Sequence, residues 1–308
     1  MRQPLSIYIN FYGKAAIRLC NKVERRLRRY LQAPNELNKK PAQRENRPTI
    51  DLATLAAALD KLGLVSGDSV LVHSGISNLG KVAGGPRAIF DLIQETVGSQ
   101  GNVLYPVFPF GGLMYDHLRS NSTFDARTAP SKMGALTEYA LKIPGGRRSL
   151  HPSHSVLAFG NRSNDFVAEH HLCSTPFADK SPFARLVEAS GKILLLGVGL
   201  NSTTSFHRIE DRLGVDFPVR VYLDEVFNIS CIDSDGQEYK VSTMAHDPFI
   251  SRVRNCQLFR NIFLQAGILH EVAVGNGSIG IIDARAMEEC LEQFCRRDRF
   301  TIYGKIWG

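Results

Sequence analysis

The run Lys192-Ile-Leu-Leu-Leu-Gly-Val-Gly199 constrains this chain more than any other segment. An unbroken apolar stretch closed by glycine has no polar face to offer water, so it reads as a buried strand. It feeds Thr204-Ser-Phe-His207-Arg-Ile-Glu210, which would therefore lie in a loop at a strand end, where open α/β sheets bind ligands. His207 and Glu210 are three residues apart and share one helical face. Upstream, His151-Pro-Ser-His-Ser155 brings two further imidazoles to the start of another strand. A neutral imidazole is the natural general base near neutral pH.

The rest of the chain from Thr49 alternates strands with helices. Asp51–Leu62 reads as an amphipathic helix stopped by Gly63, and Ser69–His73 as a short apolar strand. A helix is expected over Pro86–Val97, with proline suited to the first turn, then a strand at Asn102–Pro106. A helix around Lys132–Leu141, a strand around Ser155–Phe159 and a helix over Phe183–Ala189 precede the buried run, taken as a strand over Lys192–Val198. Beyond Glu210, Val219–Phe227, Asn228–Ile232 and Glu238–Val241 look like antiparallel hairpins, with a turn at Asp233–Gly236. Phe249–Ala266 and Asp283–Arg296 read as closing helices. This order predicts a three-layer α/β/α fold: a mixed sheet between helical layers, with an appended antiparallel β segment.

The net charge of +7 is local. Residues 1–47 hold 12 Lys and Arg against 3 Glu, whereas the remainder holds 25 against 27 acids. The body is thus near neutral, which argues against a nucleic-acid partner. At 100° per residue, Tyr12, Ala15, Leu19, Val23, Leu27 and Tyr30 fall along one line, with Lys14, Arg18, Lys22, Arg25, Arg28 and Arg29 opposite. Residues 1–32 are therefore expected to form a basic amphipathic leader helix. It either lies on an anionic membrane surface through residues 1–31 or packs its stripe on protein. Residues 33–48, polar with three prolines, read as a linker, leaving 49–308 as one catalytic domain. No run approaches the roughly 18 apolar residues of a membrane span, and the N-terminus does not read as a secretory signal. The six cysteines lack CxxC spacing, so neither a zinc site nor a disulfide framework is expected. A cytoplasmic setting follows, peripheral at the inner face of a membrane if the leader binds lipid.

Several segments offer chemistry, each beside a plainer alternative. The loop His73-Ser-Gly-Ile-Ser-Asn-Leu-Gly80 leaves a strand end and enters a helix after Gly84-Gly85. Its small residues suit close ligand approach, yet it lacks the Walker and Rossmann signatures and also fits an ordinary turn. Asp125 suits a cationic amine or a turn. Asp179 precedes Ser181-Pro182 and either orients a histidine or binds an amine. His207, Glu210, Thr204 and Ser205 make a polar wall or a supporting hydrogen-bond network. No GxSxG elbow is present, and no metal is expected from His170-His171 and Cys173, which lack ligand spacing.

In order and spacing, Val72–Gly80, Gly84-Gly85, Phe124-Asp125, Thr128–Gly134, His151–Ser155, Ser181-Pro182, Ile193–Gly199 and Thr204–Glu210 resemble the aminoglycoside 3-N-acetyltransferase family. These antibiotic acetyltransferases are unrelated in fold to the GNAT enzymes, and the resemblance runs from about residue 52 to 300. It implies acetyl-CoA as co-substrate and acetyl transfer to a primary amine of an amino sugar, aminoglycoside-like or carrier-linked in surface polysaccharide synthesis. The amine would attack the thioester directly. It further implies CoA contacts at His73, Ser74, Gly75, Ser77, Gly80, Thr204 and Ser205, and a base at His151 oriented by Asp179. His207 and Glu210 would complete the site, with Asp125, His154 and Glu210 on the acceptor. A homodimer is compatible with it. The alternatives are a non-catalytic ligand-binding relative and another acyl transferase or hydrolase on the same scaffold. Two departures stand out: Gly75 replaces the usual second serine of His-Ser-Ser, and Asp179-Lys180 replaces a glutamate in a Gly-rich turn. Together with the basic leader, they point to an acceptor other than a drug.

Overall fold

The computed structural model describes residues 47–306; the expected leader helix and all but the end of the linker lie outside the described residues. In chain order the strands are β1 (Thr49–Ile50), β2 (Ser69–Ser74), β3 (Lys81–Val82), β4 (Asn102–Pro106), β5 (Thr123–Asp125), β6 (Arg147–Arg148), β7 (Val156–Gly160), β8 (Lys192–Leu196), β9 (Tyr222–Ile232), β10 (Glu238–His246), β11 (Leu269–Val274) and β12 (Gly277–Asp283). The helices are α1 (Leu52–Lys61), α2 (Gly85–Val97), α3 (Met114–Ser120), α4 (Ala135–Ala140), α5 (Ser163–Val167), α6 (Pro182–Glu188), α7 (Arg208–Leu213), α8 (Pro248–Val253), α9 (Arg260–Gln265) and α10 (Ala284–Asp298). Local chemistry sets their starts. Asp51, Ser181 and Asp283 each accept a first-turn N–H of α1, α6 and α10, satisfying a donor that has no partner within the helix.

The main sheet runs β11-β12-β8-β2-β4-β7-β6. Its centre is parallel: β2 pairs with β4 on one side and β8 on the other, and the outer pairings are antiparallel. The period-2 side-chain alternation of strands splits the apolar run of β8 between two cores. Ile193 and Leu195, with Leu71 of β2, meet helices α6, α7, α9 and α10 through Leu186, Ile209, Phe263 and Leu291. Leu194 and Leu196, with Val70 and Val72, meet α1 and α2 through Leu59, Ile89 and Ile93. Both faces of the sheet are covered, so the three-layer mixed α/β expectation holds. Because the chain leaves β2 towards β4 and returns on the other side as β8, the strand order predicts a crevice at the carboxyl ends of β2 and β8.

Three expectations change in detail. The segment after Glu210 forms one long strand, β9, hairpinned to β10 about the predicted turn, where the Asp233 carboxylate accepts the Asp235 and Gln237 N–H groups at 2.9 Å. This hairpin takes β5 as a third strand and makes a sheet of its own. Phe227, Ile229 and Cys231 point into a separate small core, so its apolar face is satisfied without joining the main sheet. The hairpin of β11 and β12 was not expected, although Gly275-Asn276 between two alternating segments is a hairpin signal. The single helix expected over Phe249–Ala266 is broken: α8 ends at Val253, Arg254 and Asn255 are extended, and a 3-10 turn over Cys256–Phe259 leads into α9. The break is fixed by hydrogen bonds. The Asn255 carboxamide accepts the Gln257 N–H, its own N–H goes to the Ile302 carbonyl, and the Cys256 N–H goes to Asn201 Oδ1 at 2.8 Å.

Leu194 is fully buried at the sheet centre, so truncation leaves a cavity between two rigid strands. Leu194→Ala is expected to lower unfolding stability by about 2–5 kcal/mol, read as a reduced urea midpoint with an unchanged m-value. A loss below about 1 kcal/mol would place the residue at a more yielding position than the central strand.

Candidate active site

The crevice is built on the ends of β2 and β8. The Gly75 N–H donates to the Leu196 carbonyl at 2.8 Å, and the Asn78 carboxamide to the Gly197 carbonyl at 2.8 Å. This tight seam explains why glycine stands at 75: a Cβ there would lie 2.8 Å from Val198 Cγ1 and 2.9 Å from Asn78 Nδ2. Gly80 is glycine for a different reason, since a Cβ would lie 2.4 Å from the Pro48 carbonyl oxygen. Ser74 is half-buried at the crevice, and Ser77 is exposed with its carbonyl accepting from Arg47. His73 is buried beneath them, and burial pushes its imidazole down to about 4. Its Nε2 has no hydrogen-bond partner, and neither do the buried hydroxyl oxygens of Thr203, Thr204 and Ser205. Buried polar atoms are nearly always paired. These four atoms belong to the end of β2 and to the segment that follows β8, where a ligand atom would supply the missing partner.

His207 and Glu210 sit where the 3-10 turn over Thr204–His207 runs into α7. His207 Nδ1 lies 2.8 Å from Glu210 Oε2. An ionised carboxylate can only accept, so Nδ1 carries the proton and the lone pair of Nε2 points outward. The other ligands of Glu210 come from distant segments: Tyr303 donates to Oε1 at 2.7 Å, and His246 Nε2 lies 3.1 Å from Oε2. Burial alone would push Glu210 up, but its hydrogen-bonding contacts with His207 and His246 hold it well below the carboxylate range. Burial pushes His207 down, against the pull of Glu210, so the pair rests as neutral imidazole and carboxylate. Arg254, presented by the break after α8, donates a short hydrogen bond to His207 Nε2 and a second, at 3.4 Å, to the Asn201 carbonyl.

His246, Tyr222, Tyr303 and Arg254 were not singled out from the sequence. His246 stacks on Tyr222 at 4.4 Å, whose hydroxyl donates to Asp211 at 2.6 Å. Burial raises Asp211 to about 6, and its carboxylate also accepts the Phe177 N–H at 2.9 Å. Phe177 is the hub, with His154, His207 and His246 rings 5.0, 5.2 and 5.9 Å from its centroid.

The other expected residues fall into three groups. His151, given as the base, has no exposed surface. Its Nδ1 accepts the N–H groups of Ser153 and His154 at 3.3 and 3.2 Å, and its ring stacks 4.5 Å from His170. It closes the His-Pro-Ser-His turn from inside, and its Nε2 lies 3.4 Å from Thr243 Oγ1. Asp179 does not orient it: the carboxylate is 85% exposed and pairs with Arg208 at 2.6 Å. His154 is wedged among Phe108, Phe110 and Phe177, with Nδ1 2.9 Å from Ser153 Oγ. Asp125, on the second sheet, is gripped by Arg127 through both oxygens, which holds its carboxyl down at about 2.

His207, Glu210 and His246 bring ligand-type atoms within 4.8 Å of one another. Both histidines already sit at hydrogen-bonding distance from the same oxygen, and a guanidinium occupies the outer nitrogen of His207. A divalent ion would have to break these contacts beside a fixed positive charge, so the cluster suits proton handling better than metal binding.

A three-layer α/β sheet that ends in a buried His–Glu pair beside unpaired hydroxyls is a scaffold for acid–base work on a bound ligand. The profile of the aminoglycoside 3-N-acetyltransferase family matches residues 71–296, and the chain belongs to that family. Aminoglycoside N(3)-acetyltransferase III of Salmonella sp is 33% identical over 168 residues, 51% of this chain and 58% of that enzyme; the match thus spans somewhat more than half of that relative's length. Aminoglycoside N(3)-acetyltransferase IX of Micromonospora chalcea is 30% identical over 250 residues, 73% of this chain and 86% of the relative. The structure of AAC-IIIb in binary complex with CoASH superposes with a TM-score of 0.66 at 25% identity, over 81% of this chain and 97% of that one. The apoenzyme of AAC(3)-IVa shares the fold, with a TM-score of 0.68 at 22% identity, over 84% and 92%.

The buried histidines carry a pH signature. His73 and His170 fall from an ordinary 6.5 to about 4 through burial, and His151 and His154 fall well below it for the same first cause. A group with a depressed folded pKa binds protons more readily when unfolded, so its contribution is present above 6.5 and lost as pH falls towards 4. The urea midpoint is expected to be level between pH 7 and 8 and to drop steeply between 6.5 and 4. A midpoint unchanged from pH 7 to 5 would mean that these imidazoles are not sealed.

Proposed function

We propose that this protein is an acetyl-CoA-dependent N-acetyltransferase acting on a primary amine of an amino sugar, with His207 as the general base. The observation that carries the reading is the His207–Glu210 pair, in which Glu210 accepts from Nδ1–H and leaves the Nε2 lone pair to accept, on the turn that also bears the unpartnered hydroxyls of Thr204 and Ser205. The family membership and the CoASH-bound relative support it.

Acetyl-CoA supplies an activated acyl carbon when bound. The chain's own residues manage the proton and the charge. As the amine nitrogen forms its bond to the thioester carbonyl, His207 Nε2 takes the proton that the nitrogen must lose. The C–S bond then breaks, and the thiolate leaves with that proton as free CoA thiol. Glu210 holds His207 in the tautomer that leaves Nε2 free and stabilises the imidazolium while it lasts. The hydroxyls of Thr203, Thr204 and Ser205 are positioned to donate to the carbonyl oxygen as negative charge builds on it. His73, Ser74 and Gly75 line the approach to the same strand ends. No covalent enzyme intermediate is required. The acceptor is an amino sugar, aminoglycoside-like or carrier-linked, and the basic leader over residues 1–32 is assigned to an anionic membrane surface.

Two experiments test these assignments. His207→Ala is expected to lower kcat by about 10²–10⁴-fold while acetyl-CoA still raises the melting temperature. His151→Ala is expected to lower the melting temperature and to change kcat of the folded fraction less than tenfold (~1 kcal/mol). The reverse ranking would return the base role to His151. For the leader, liposomes containing anionic lipid should sediment the full chain and leave a chain starting near Thr49 in solution; equal sedimentation would assign the apolar stripe to protein packing.

A further inference from the structure

Arg254 stands on the nitrogen that the acceptor amine must reach. Its guanidinium donates to His207 Nε2, the place that an attacking amine's N–H would take. Arginine stays charged throughout the accessible pH range, so the mouth of the catalytic pair carries a fixed cation. The acids that hold the pair, and those named as candidates for the acceptor, are already engaged. Glu210 is held by His207, His246 and Tyr303, and Asp211 accepts from the Phe177 N–H and Tyr222. Asp179 pairs with Arg208, Glu288 with Arg208 and Arg212, and Asp125 with Arg127. A polycationic acceptor would meet a like charge at the reacting nitrogen and no unpaired carboxylate among these residues. Like-charge juxtaposition of this kind rejects partners strongly.

We infer that Arg254 determines specificity by selecting an acceptor that carries an anionic group, phosphate or carboxylate, on the carbon next to the reacting amine. The inference rests on the acetyl-transfer reading of the same His207–Glu210 pair. Arg254 must leave Nε2 before the amine can use it, and besides Nε2 it holds only the long contact to the Asn201 carbonyl among its hydrogen bonds described here. It is half-buried on the extended break between α8 and the following 3-10 turn, so a change of side-chain rotamer moves the guanidinium without unwinding a helix. A guanidinium leaving a buried base needs a new partner, and its planar fork matches phosphate or carboxylate through two parallel hydrogen bonds. An anion adjacent to the amine offers that partner within one side-chain swing. The exchange uncovers the base only when such an acceptor is in place.

The test measures thiol release from acetyl-CoA with matched acceptors: glucosamine, glucosamine 1-phosphate, glucosaminic acid and kanamycin. The wild-type protein is compared with Arg254→Gln and Arg254→Lys. For the wild type, kcat/KM is expected to be at least ~10-fold higher for an anionic sugar than for glucosamine, with kanamycin poorest. The preferred anion distinguishes phosphate from carboxylate. Arg254→Gln should bring the ratio towards ~1, chiefly by raising KM for the anionic sugar, and Arg254→Lys should keep only part of it because an ammonium lacks the fork. Calorimetric binding of the anionic sugar to the CoA complex should weaken in parallel and lose its salt dependence. A wild type that prefers kanamycin, or a ratio unchanged in Arg254→Gln, overturns the inference and leaves acetyl transfer standing. Absence of thiol release with every amine, with CoA still bound, removes the acetyl-transfer reading and this inference with it.

Discussion

The buried carboxylate of Glu210 is the constraint on which the site depends. A carboxylate with no solvent contact is tolerated only if fully partnered, and its three partners come from three parts of the chain, with a fourth supplying the group beyond His207. His207 is its helical neighbour, His246 ends β10, Tyr303 lies beyond α10, and Arg254 completes the pair from the far side of the imidazole. Satisfying one charge thus ties the second sheet and the C-terminal segment to the loop after β8. The same requirement fixes the imidazole tautomer, which makes a base of a residue that would otherwise be one more buried histidine.

Five buried histidines lie within a few ångströms of Phe177 or of one another, yet only His207 and His246 meet a carboxylate, both at Glu210. His170 donates to the Pro176 carbonyl and faces Ser149, His151 closes its own turn, and His154 is packed among phenylalanines. Burial lowers the pKa of His151, His154 and His170 as it does that of His207, so the direction of the shift does not separate base from scaffold; the partners of the ring nitrogens do.

The fold was largely legible because its signals are local. Apolar runs bounded by glycine gave β2, β4 and β8, and stretches with a helical pattern gave α1, α6 and α10. The His207–Glu210 pair was legible too, since three-residue spacing on a helix places two side chains together. His151 misled because a His-Pro-Ser-His turn before a strand looks the same whether its ring faces solvent or its own backbone. Asp179 and Asp125 misled for a related reason: the arginines that neutralise them, Arg208 and Arg127, are identified only by geometry. His246 and Tyr303 were out of reach because their links to Glu210 span 36 and 93 positions, and Arg254 because its link to His207 spans 47, distances at which sequence carries no pairing signal. The helix expected over Phe249–Ala266 hid Arg254 further, since its break depends on Asn201, more than fifty residues away.

Charge balance explains why an arginine can occupy the mouth of the base. At rest the cluster holds the negative charge of Glu210, a neutral His207 and the positive charge of Arg254, which cancel in a region where unpaired charge is costly. An acceptor ammonium entering as Arg254 leaves keeps that balance. The ammonium gives one proton to solvent before attack, and when the nitrogen's second proton passes to Nε2 as the C–N bond forms, the imidazolium and Glu210 neutralise each other directly. An acceptor that brings its own anion also compensates the displaced guanidinium, so each stage of the exchange stays close to neutral. A polycation would add uncompensated positive charge at every stage. The same buried carboxylate that makes His207 a base therefore sets how much positive charge the mouth can accept.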